Sequence, residues 1–426
     1  MYAFLIQFVD FLRTHHVHYF LIFFALIWLR WFVVNTLALF YKPATKKYKA
    51  TTTVLIPVVD EPIDVFKQVL RSITKQKPTQ IIVVINGPRN IILENACKQL
   101  AGVDCYWTKK AGKRNAIKYG MKYVKGEIVL LVDSDTIWEP KMLSELLKPF
   151  ADPKVGGVTT KQRITDPTAN IIARLCDWLE DVRAYGTMQA MSVVGQVGCL
   201  PGRTIAFRHS ILKQILPAFM SERYLGLHKE VSDDRSLTNL TLKAGYKTVM
   251  QSTAVVYTEA PTQWKKFLRQ QLRWAEGSQY NNMRMSGWML RRAPLMFFIY
   301  WTDMLLPFFL WGIYLSFFIK TVILHSTQQA DMLFLAHRPL LIVLLATLGG
   351  AYFSYAIRQL RVLSENPRHF IFMPVYIILL TFVMAPVRMI GFARLADDLG
   401  WGTRANSYQA KRKFKIRERF AHAATS

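Results

Sequence analysis

A chain of 426 residues has room for two or three domains, but 52% hydrophobic and 13% aromatic residues argue against an ordinary soluble enzyme. Its 55 Lys and Arg against 28 Asp and Glu give a net charge of +27, which suits an anionic membrane surface or an anionic substrate such as a nucleotide diphosphate. No nucleic-acid module is visible, and basic residues beside apolar spans are what the positive-inside rule expects of cytoplasmic flanks, so no nucleic-acid partner is expected.

Residues Tyr19 to Tyr41 are apolar except for Arg30, Asn35 and Thr36, long enough for a membrane-spanning helix of roughly 20 residues. The run is too long for a signal peptide, and no small-x-small cleavage site precedes Lys42. Arg30 within it must face a protein or water-filled interior, or snorkel to the surface.

Beyond the basic stretch Lys42 to Lys49, short β patterns alternate with helical ones. Strands are expected at Thr52 to Val58, Gln80 to Ile85 and Glu127 to Asp133, and helices at Ile63 to Ser72, Ile91 to Leu100 and Lys113 to Val124. This alternation predicts a parallel sheet with crossover helices, whose ligands sit at the carboxyl ends of the strands. Residues 141 to 263 mix helix and strand, with a glycine-punctuated turn and strand from Gly195 to Phe207. Cys97, Cys105, Cys176 and Cys199 show neither zinc-ligand spacing nor a disulfide framework, which fits a reducing, cytoplasmic setting.

Trp264 to Arg292 is basic and aromatic, as an interfacial helix would be, or else an amphipathic helix packed on the soluble domain. Apolar stretches follow at Leu295 to Leu324, Pro339 to Ile357 and Phe370 to Ile390, and the tail from Arg404 is strongly basic. If the 42–263 domain and this tail are both cytoplasmic, an even number of crossings must separate them. One of the three stretches would then be re-entrant or interfacial, or the first would cross twice.

Four groups of residues suggest chemistry. Asp133-Ser134-Asp135 follows an apolar strand and places two carboxylates where they can hold Mg2+ or Mn2+ together with substrate phosphates. Ser232-Asp233-Asp234-Arg235 offers a general base for a sugar hydroxyl, or an N-cap with first-turn acids. Gln270, Arg273 and Trp274 share about one helical turn and combine phosphate donors with a ring that can stack, or pack at an interface. Gly112-Lys113-Arg114-Asn115 opens a helix whose Lys113, Arg114 and N–H groups could meet a diphosphate, or forms a solvated basic turn.

These segments, with Val54 to Glu61, Gly198 to Gly202 and Trp401-Gly402-Thr403-Arg404, occur in the order seen in family 2 processive glycosyltransferases, which the chain resembles from about residue 50 to 405. Hyaluronan synthases are the most similar, with chitin, chitooligosaccharide, cellulose and type 3 capsule synthases related. The resemblance implies a cytoplasmic α/β GT-A domain at 42–263 combined with membrane helices. The rest of the plan is a spanning helix within 1–41, an interfacial helix at 264–293, a channel region at 294–396 and a cytoplasmic tail at 397–426, in a multi-pass protein of the plasma membrane. It further implies a UDP-sugar donor, a growing polysaccharide as acceptor and inverting transfer. Asp234 would be the catalytic base, with Asp233 the second choice, and Asp133 and Asp135 would hold the metal and diphosphate. Cys199 and Gly202 would border the acceptor, Gln270, Arg273 and Trp274 would line acceptor and diphosphate, and Trp401 and Arg404 would lie beside the nucleotide. Glu61 joins the donor set. Where relatives commonly carry an Asp after the second strand, this chain has Asn86, whose amide is expected to take over base recognition. A non-processive enzyme that adds one sugar to a lipid carrier would share the acidic clusters without needing the Gln270 to Trp274 pentad.

Overall fold

A computed structural model describes residues 18–318, 349–350 and 352–395. In chain order, α1 (His18–Leu39) is followed by β1 (Thr52–Val58), α2 (Ile63–Thr74), β2 (Gln80–Asn86), α3 (Ile91–Lys98), β3 (Val103–Thr108), α4 (Lys113–Gly120), β4 (Ile128–Val132), β5 (Thr136–Trp138) and α5 (Met142–Leu147). Next come β6 (Val155–Ile164), α6 (Ile171–Val182), α7 (Gln189–Val193), β7 (Thr204–Arg208), α8 (His209–Met220), a small hairpin of β8 (Arg223–Tyr224) and β9 (Leu227–His228), α9 (Asp233–Lys243) and β10 (Lys247–Thr258). The long α10 (Trp264–Arg292) leads into α11 (Pro294–Phe318), and α12 (Leu360–Glu365), α13 (His369–Leu379) and α14 (Ala385–Ala393) close the described chain.

Eight strands form one sheet in the order β3-β2-β1-β4-β7-β6-β10-β5. The expected parallel sheet holds only in part. β3, β2, β1 and β4 pair in parallel, but β7 runs antiparallel to both β4 and β6, and β5 is antiparallel to β10. The β4 ladder on β1 covers only Thr52 to Leu55, so Pro57, which has no N–H to donate, lies beyond it where the two strands part. That parting places Asp133 at the open end of β4.

Alternate strand residues feed opposite cores, as the two-residue period requires. Leu55, Ile82, Val84, Val129 and Leu131 face one layer, which also takes in Ile117 of α4, Leu212 and Phe219 of α8, Leu237 of α9 and Met285 of α10. Val54, Ile56, Val83, Ile85 and Leu130 face the other, against Phe66 and Leu70 of α2, Leu93 of α3 and Leu146 of α5. The first layer continues into Met296 and Ile299 of α11 and Val34 and Ala38 of α1, so the apolar helices are built onto the sheet's own core.

Among the described residues, three helical segments are long and apolar enough to cross a membrane: Leu21–Leu39, Pro294–Leu315 and His369–Ala393. Arg30 finds the protein partner its position demands, an ion pair with Asp303 of α11 at 2.7 Å, with Thr187 within 3.4 Å. The His369–Ala393 segment touches the sheet domain at its start and α10 near its end. His369 lies against Asp177 and Asp181 of α6, while Gly391 packs on Ala275 of α10 and Arg394 pairs with Glu276 at 3.0 Å. Just beyond, Lys229 Nζ donates to the Leu395 carbonyl at 3.1 Å. Most of the Pro339 to Ile357 stretch lies outside the described residues, although 349–350 and 352–357 are helical.

Candidate active site

Asp133 leaves β4 with its N–H bonded to the Arg203 carbonyl at 3.0 Å, and its Oδ1 meets Lys113 Nζ at 2.5 Å. Lys113 is delivered there by local backbone chemistry. Gly112 sits at φ +112°, which side-chain-bearing residues rarely adopt, and its N–H donates to Asn86 Oδ1 at 2.9 Å. Asn86 in turn donates to the Val58 carbonyl at 3.0 Å and is fully buried. Both ends of its amide are taken by backbone, so it clamps the loop before α4 instead of reading a base. Ser134 donates to Glu61 Oε2 at 2.6 Å, which brings Glu61 to the same strand end.

Asp234 stands across the cleft in the first turn of α9. Its Oδ2 accepts from the Gly202 N–H at 3.2 Å and faces the Cys199 thiol at 3.9 Å, while Oδ1 takes the Arg235 N–H at 2.8 Å and the Ser232 hydroxyl at 3.3 Å. These donors fix the carboxylate while it stays partly exposed. The N-cap expectation is met only by position. Ser232 lies in the left-handed region at φ +64° and makes no side-chain cap bond; such strain in a residue with a side chain persists where its surroundings enforce it. Gly277 of α10 packs directly on the Ser232 Cβ, so the pentad helix braces this turn, with Trp274 less than one turn away and 38% exposed. Gln270 and Arg273 are half-buried on the same helix.

The two acidic clusters share one cleft. Lys113 Nζ lies 3.5 Å from the position a Gly202 Cβ would occupy, and Asp234 Cβ lies 3.3 Å from the same point. Burial works against the Lys113 charge, but Asp133, Asp233 and Asp234 outweigh it and hold the ammonium above its ordinary range. Burial, followed by Asp234, pushes the Cys199 thiol up to about 12, so it is a neutral donor and not a thiolate nucleophile.

Arg114 and Asp233 depart from expectation. Arg114 is 2% exposed; its guanidinium bonds Asp233 Oδ1 at 2.7 Å, the Phe219 carbonyl at 2.7 Å and Glu222 at 3.3 Å, and it stacks over the Phe219 ring at 4.4 Å. Protein groups satisfy it fully, so no face remains for a diphosphate. Asp233, 5% exposed, is the partner of that cation, and burial pushes its carboxyl up against the pull of Arg114 and Lys113. Trp401 and Arg404 lie outside the described residues.

Two participants escaped the sequence reading. Arg203, next to Gly202, reaches Glu180 Oε1 at 3.0 Å and Gln162 Oε1 at 2.8 Å and lends positive charge toward Asp135 and Asp133. Its place after a glycine in Gly198 to Gly202 was the available signal. Glu222, whose side chain is fully buried, accepts from Tyr280 at 2.9 Å and Ser236 at 3.0 Å, and no local pattern announces it.

Asp133 and Asp135 fit a divalent metal. They offer hard oxygens at a strand end, and the ammonium drawn onto Asp133 shows that this end attracts positive charge.

A mixed sheet with paired acids at one strand end and a separate carboxylate at a helix start defines a GT-A glycosyltransferase. Residues 50–277 match the family model described as glycosyltransferase like family 2, more than half of the chain, and the protein belongs to that family. A hyaluronan synthase of Streptococcus pyogenes is 30% identical over 294 residues, covering 69% of this chain and 66% of that protein, just under two thirds of its length. A type 2 glycosyltransferase of Pyricularia oryzae is 28% identical over 254 residues, covering 57% of this chain and 53% of that protein. An N-acetylglucosaminyltransferase of Mesorhizobium japonicum is 30% identical over 233 residues, covering 53% and 55%. Among solved structures, a mannosyltransferase from Pyrobaculum calidifontis in complex with GDP-Man and Mn2+ superposes with a TM-score of 0.61 at 16% identity, covering 90% of this chain and 98% of that one, a likeness of fold.

Proposed function

We propose that the protein is a membrane-embedded, inverting, processive synthase that polymerises sugars from UDP-sugar donors and passes the polymer into the membrane. The observation that carries this reading is the contact between the acceptor side of the cleft and a membrane helix. Gly198, beside Cys199, packs so closely on α11 that a methyl group there would lie 2.5 Å from the Tyr300 ring and 2.7 Å from Met296 Sδ. Arg235, beside Asp234, stacks on the same Tyr300 ring at 4.4 Å. A polymer end held at Asp234 thus meets the head of an apolar helix.

In the chemical step Asp234 takes the proton of the polymer's terminal hydroxyl. The freed oxygen bonds the anomeric carbon, the bond from that carbon to the diphosphate breaks, and the nucleoside diphosphate departs. Lys113 and Arg273 hold the diphosphate oxygens, and Trp274 stacks on a sugar ring. Asp133 and Asp135 would hold Mg2+ or Mn2+, which when bound neutralises charge on the leaving group. Asp233 and Arg114 position the turn that carries Asp234.

His369–Ala393 is the most apolar of the three candidate spans, and Phe370, Ile371, Val375 and Ile378 are exposed along it as lipid-facing residues would be. With the catalytic domain and the basic tail both read as cytoplasmic, an even number of crossings separates them. Trp31 Nε1 of α1 donates to the Arg358 carbonyl at 3.0 Å, which ties the helical residues 352–358 to α1.

The test is incubation of the purified enzyme with UDP-sugars, singly and in pairs, with Mn2+ or Mg2+, followed by product sizing and linkage-specific digestion. Polymer is expected from wild type and none from Asp234→Asn, which keeps donor binding. A single-sugar glycolipid without polymer refutes processivity, and wild-type yield from Asp234→Asn refutes the base.

A further inference from the structure

We propose that Arg30 of α1 and Asp303 of α11 form a saccharide-binding station on the membrane side of the cleft, where hydroxyls of the outgoing product meet the first charged groups beyond Tyr300, an assignment that rests on the synthase reading above. Each is the only charged residue of its candidate span, Leu21–Leu39 or Pro294–Leu315. The two lone charges, opposite in sign, find each other.

Their place in the fold continues the cleft. Tyr300 packs against Gly198, beside Cys199, and carries the Arg235 guanidinium, beside Asp234, 4.4 Å over its ring. Asp303 follows three residues later on α11, so Tyr300 and Asp303 lie on one face of the helix, about one turn apart, and both are half-exposed. One turn nearer the domain, Ile299 of α11 and Val34 of α1 are buried in the core that the sheet shares with these helices. Arg30 and Asp303 come just beyond that packing, each about 14 Å from the domain end of its helix, Leu39 or Pro294, at the rise of an α-helix.

Depth and exposure together call for a polar neighbour. The Arg30 and Asp303 side chains are 21% and 36% exposed. A long arginine can reach back to the membrane surface, but an aspartate is too short to do so, and a carboxylate that open inside an apolar span needs water or a polar path beside it instead of hydrocarbon.

The pair also keeps bonding capacity. Arg30 directs Nε and Nη2 at Asp303, at 2.7 and 2.9 Å, and Nη2 reaches the Thr187 hydroxyl at 3.4 Å, while Nη1 has no partner among the described residues. Each Asp303 oxygen takes one of these contacts and can accept another hydrogen bond. Donors and acceptors therefore stand side by side, the arrangement that neighbouring hydroxyls of a sugar ring satisfy. Because the two charges offset each other, a saccharide can exchange hydrogen bonds here without being held by charge, which a moving chain requires.

The experiment uses the full-length enzyme in lipid nanodiscs with the radiolabelled UDP-sugars that give polymer. With p-benzoylphenylalanine placed at Thr187, irradiation during synthesis is expected to attach labelled saccharide to the protein, whereas the same group at Phe32, 61% exposed on α1, should capture none. Arg30→Gln/Asp303→Asn, which removes both charges together and strands neither, should shorten the product several-fold at a temperature where the variant is folded. Polymer from wild type with no saccharide captured at Thr187, equal capture at Phe32, or wild-type product length from the double variant would overturn the station and leave the synthase reading standing. No polymer from wild type with any donor would refute that reading, and the station with it.

Discussion

Replacing Arg114 separates two readings of the Gly112 to Asn115 turn. In the structure its guanidinium is 2% exposed between Asp233 and Glu222, whose side chains are 4% and 0% exposed. Arg114→Met keeps the volume near Phe219 but leaves two buried carboxylates facing each other, with only Arg284 still paired to Glu222 at 3.1 Å. Breaking a buried ion pair from one side costs about 3–5 kcal/mol. For a domain of this size each kcal/mol lowers Tm by roughly 2–4 °C, so a fall on the order of 10 °C is expected. Adding Asp233→Asn removes one stranded charge, and the double variant should recover part of that loss, because residues in contact do not combine additively. Thermal unfolding of the detergent-purified enzyme, beside donor binding at a temperature where all variants are folded, gives the answer. Unchanged Tm with donor binding weakened tenfold or more would mean that Arg114 meets the diphosphate, and the buried-network argument would be wrong.

Lys113→Gln should tighten Mn2+ binding in the absence of donor by several-fold, because the ammonium no longer competes for Asp133, while donor affinity falls; weaker Mn2+ binding would refute the competition. Asp303→Asn strands Arg30 inside an apolar span and should cost about 3 kcal/mol, with Arg30→Gln added to it restoring much of the loss; no rescue in unfolding of the double variant would argue against the pair. Since burial holds the Cys199 thiol near 12, against about 9 for an ordinary thiol, its thiolate fraction at pH 8 is roughly 10³-fold lower. Alkylation there, read peptide by peptide, should stay slow through neutral pH and accelerate only as pH climbs toward that value. Rapid labelling at pH 8 would contradict the assignment of Cys199 as a neutral donor.

Much of this architecture is written locally. The continuous apolar run before Asp133 and the helical run after Asn90 place their elements within a residue or two, because each is decided by neighbouring side chains alone. β3 escaped notice because Val103 to Thr108 is an edge strand with exposed Asp104 and Trp107, so it lacks the continuous apolar signal of its neighbours. The antiparallel course of β7 was illegible for another reason: strand direction depends on where the chain returns, and side-chain periodicity does not encode that. The site divides in the same way. Asp133 and Lys113 were readable from a strand end and a helix start. The burial of Arg114 depends on Asp233 and Glu222, 119 and 108 positions away, and in isolation a basic turn looks like a solvent-exposed one.

One joint in the chain ties the reaction to its surroundings. Between the last residue of α10, which braces the Asp234 turn, and the first of α11 there is a single linking residue, Ala293, which is fully buried. A joint so short cannot absorb much rotation. If α11 spans the bilayer as proposed, a change in hydrocarbon thickness would be met in part by a change in its tilt. In the proposed synthase such a tilt would pass through Ala293 along α10 to Gly277 and Ser232, which would couple the turn that carries Asp234 to bilayer thickness.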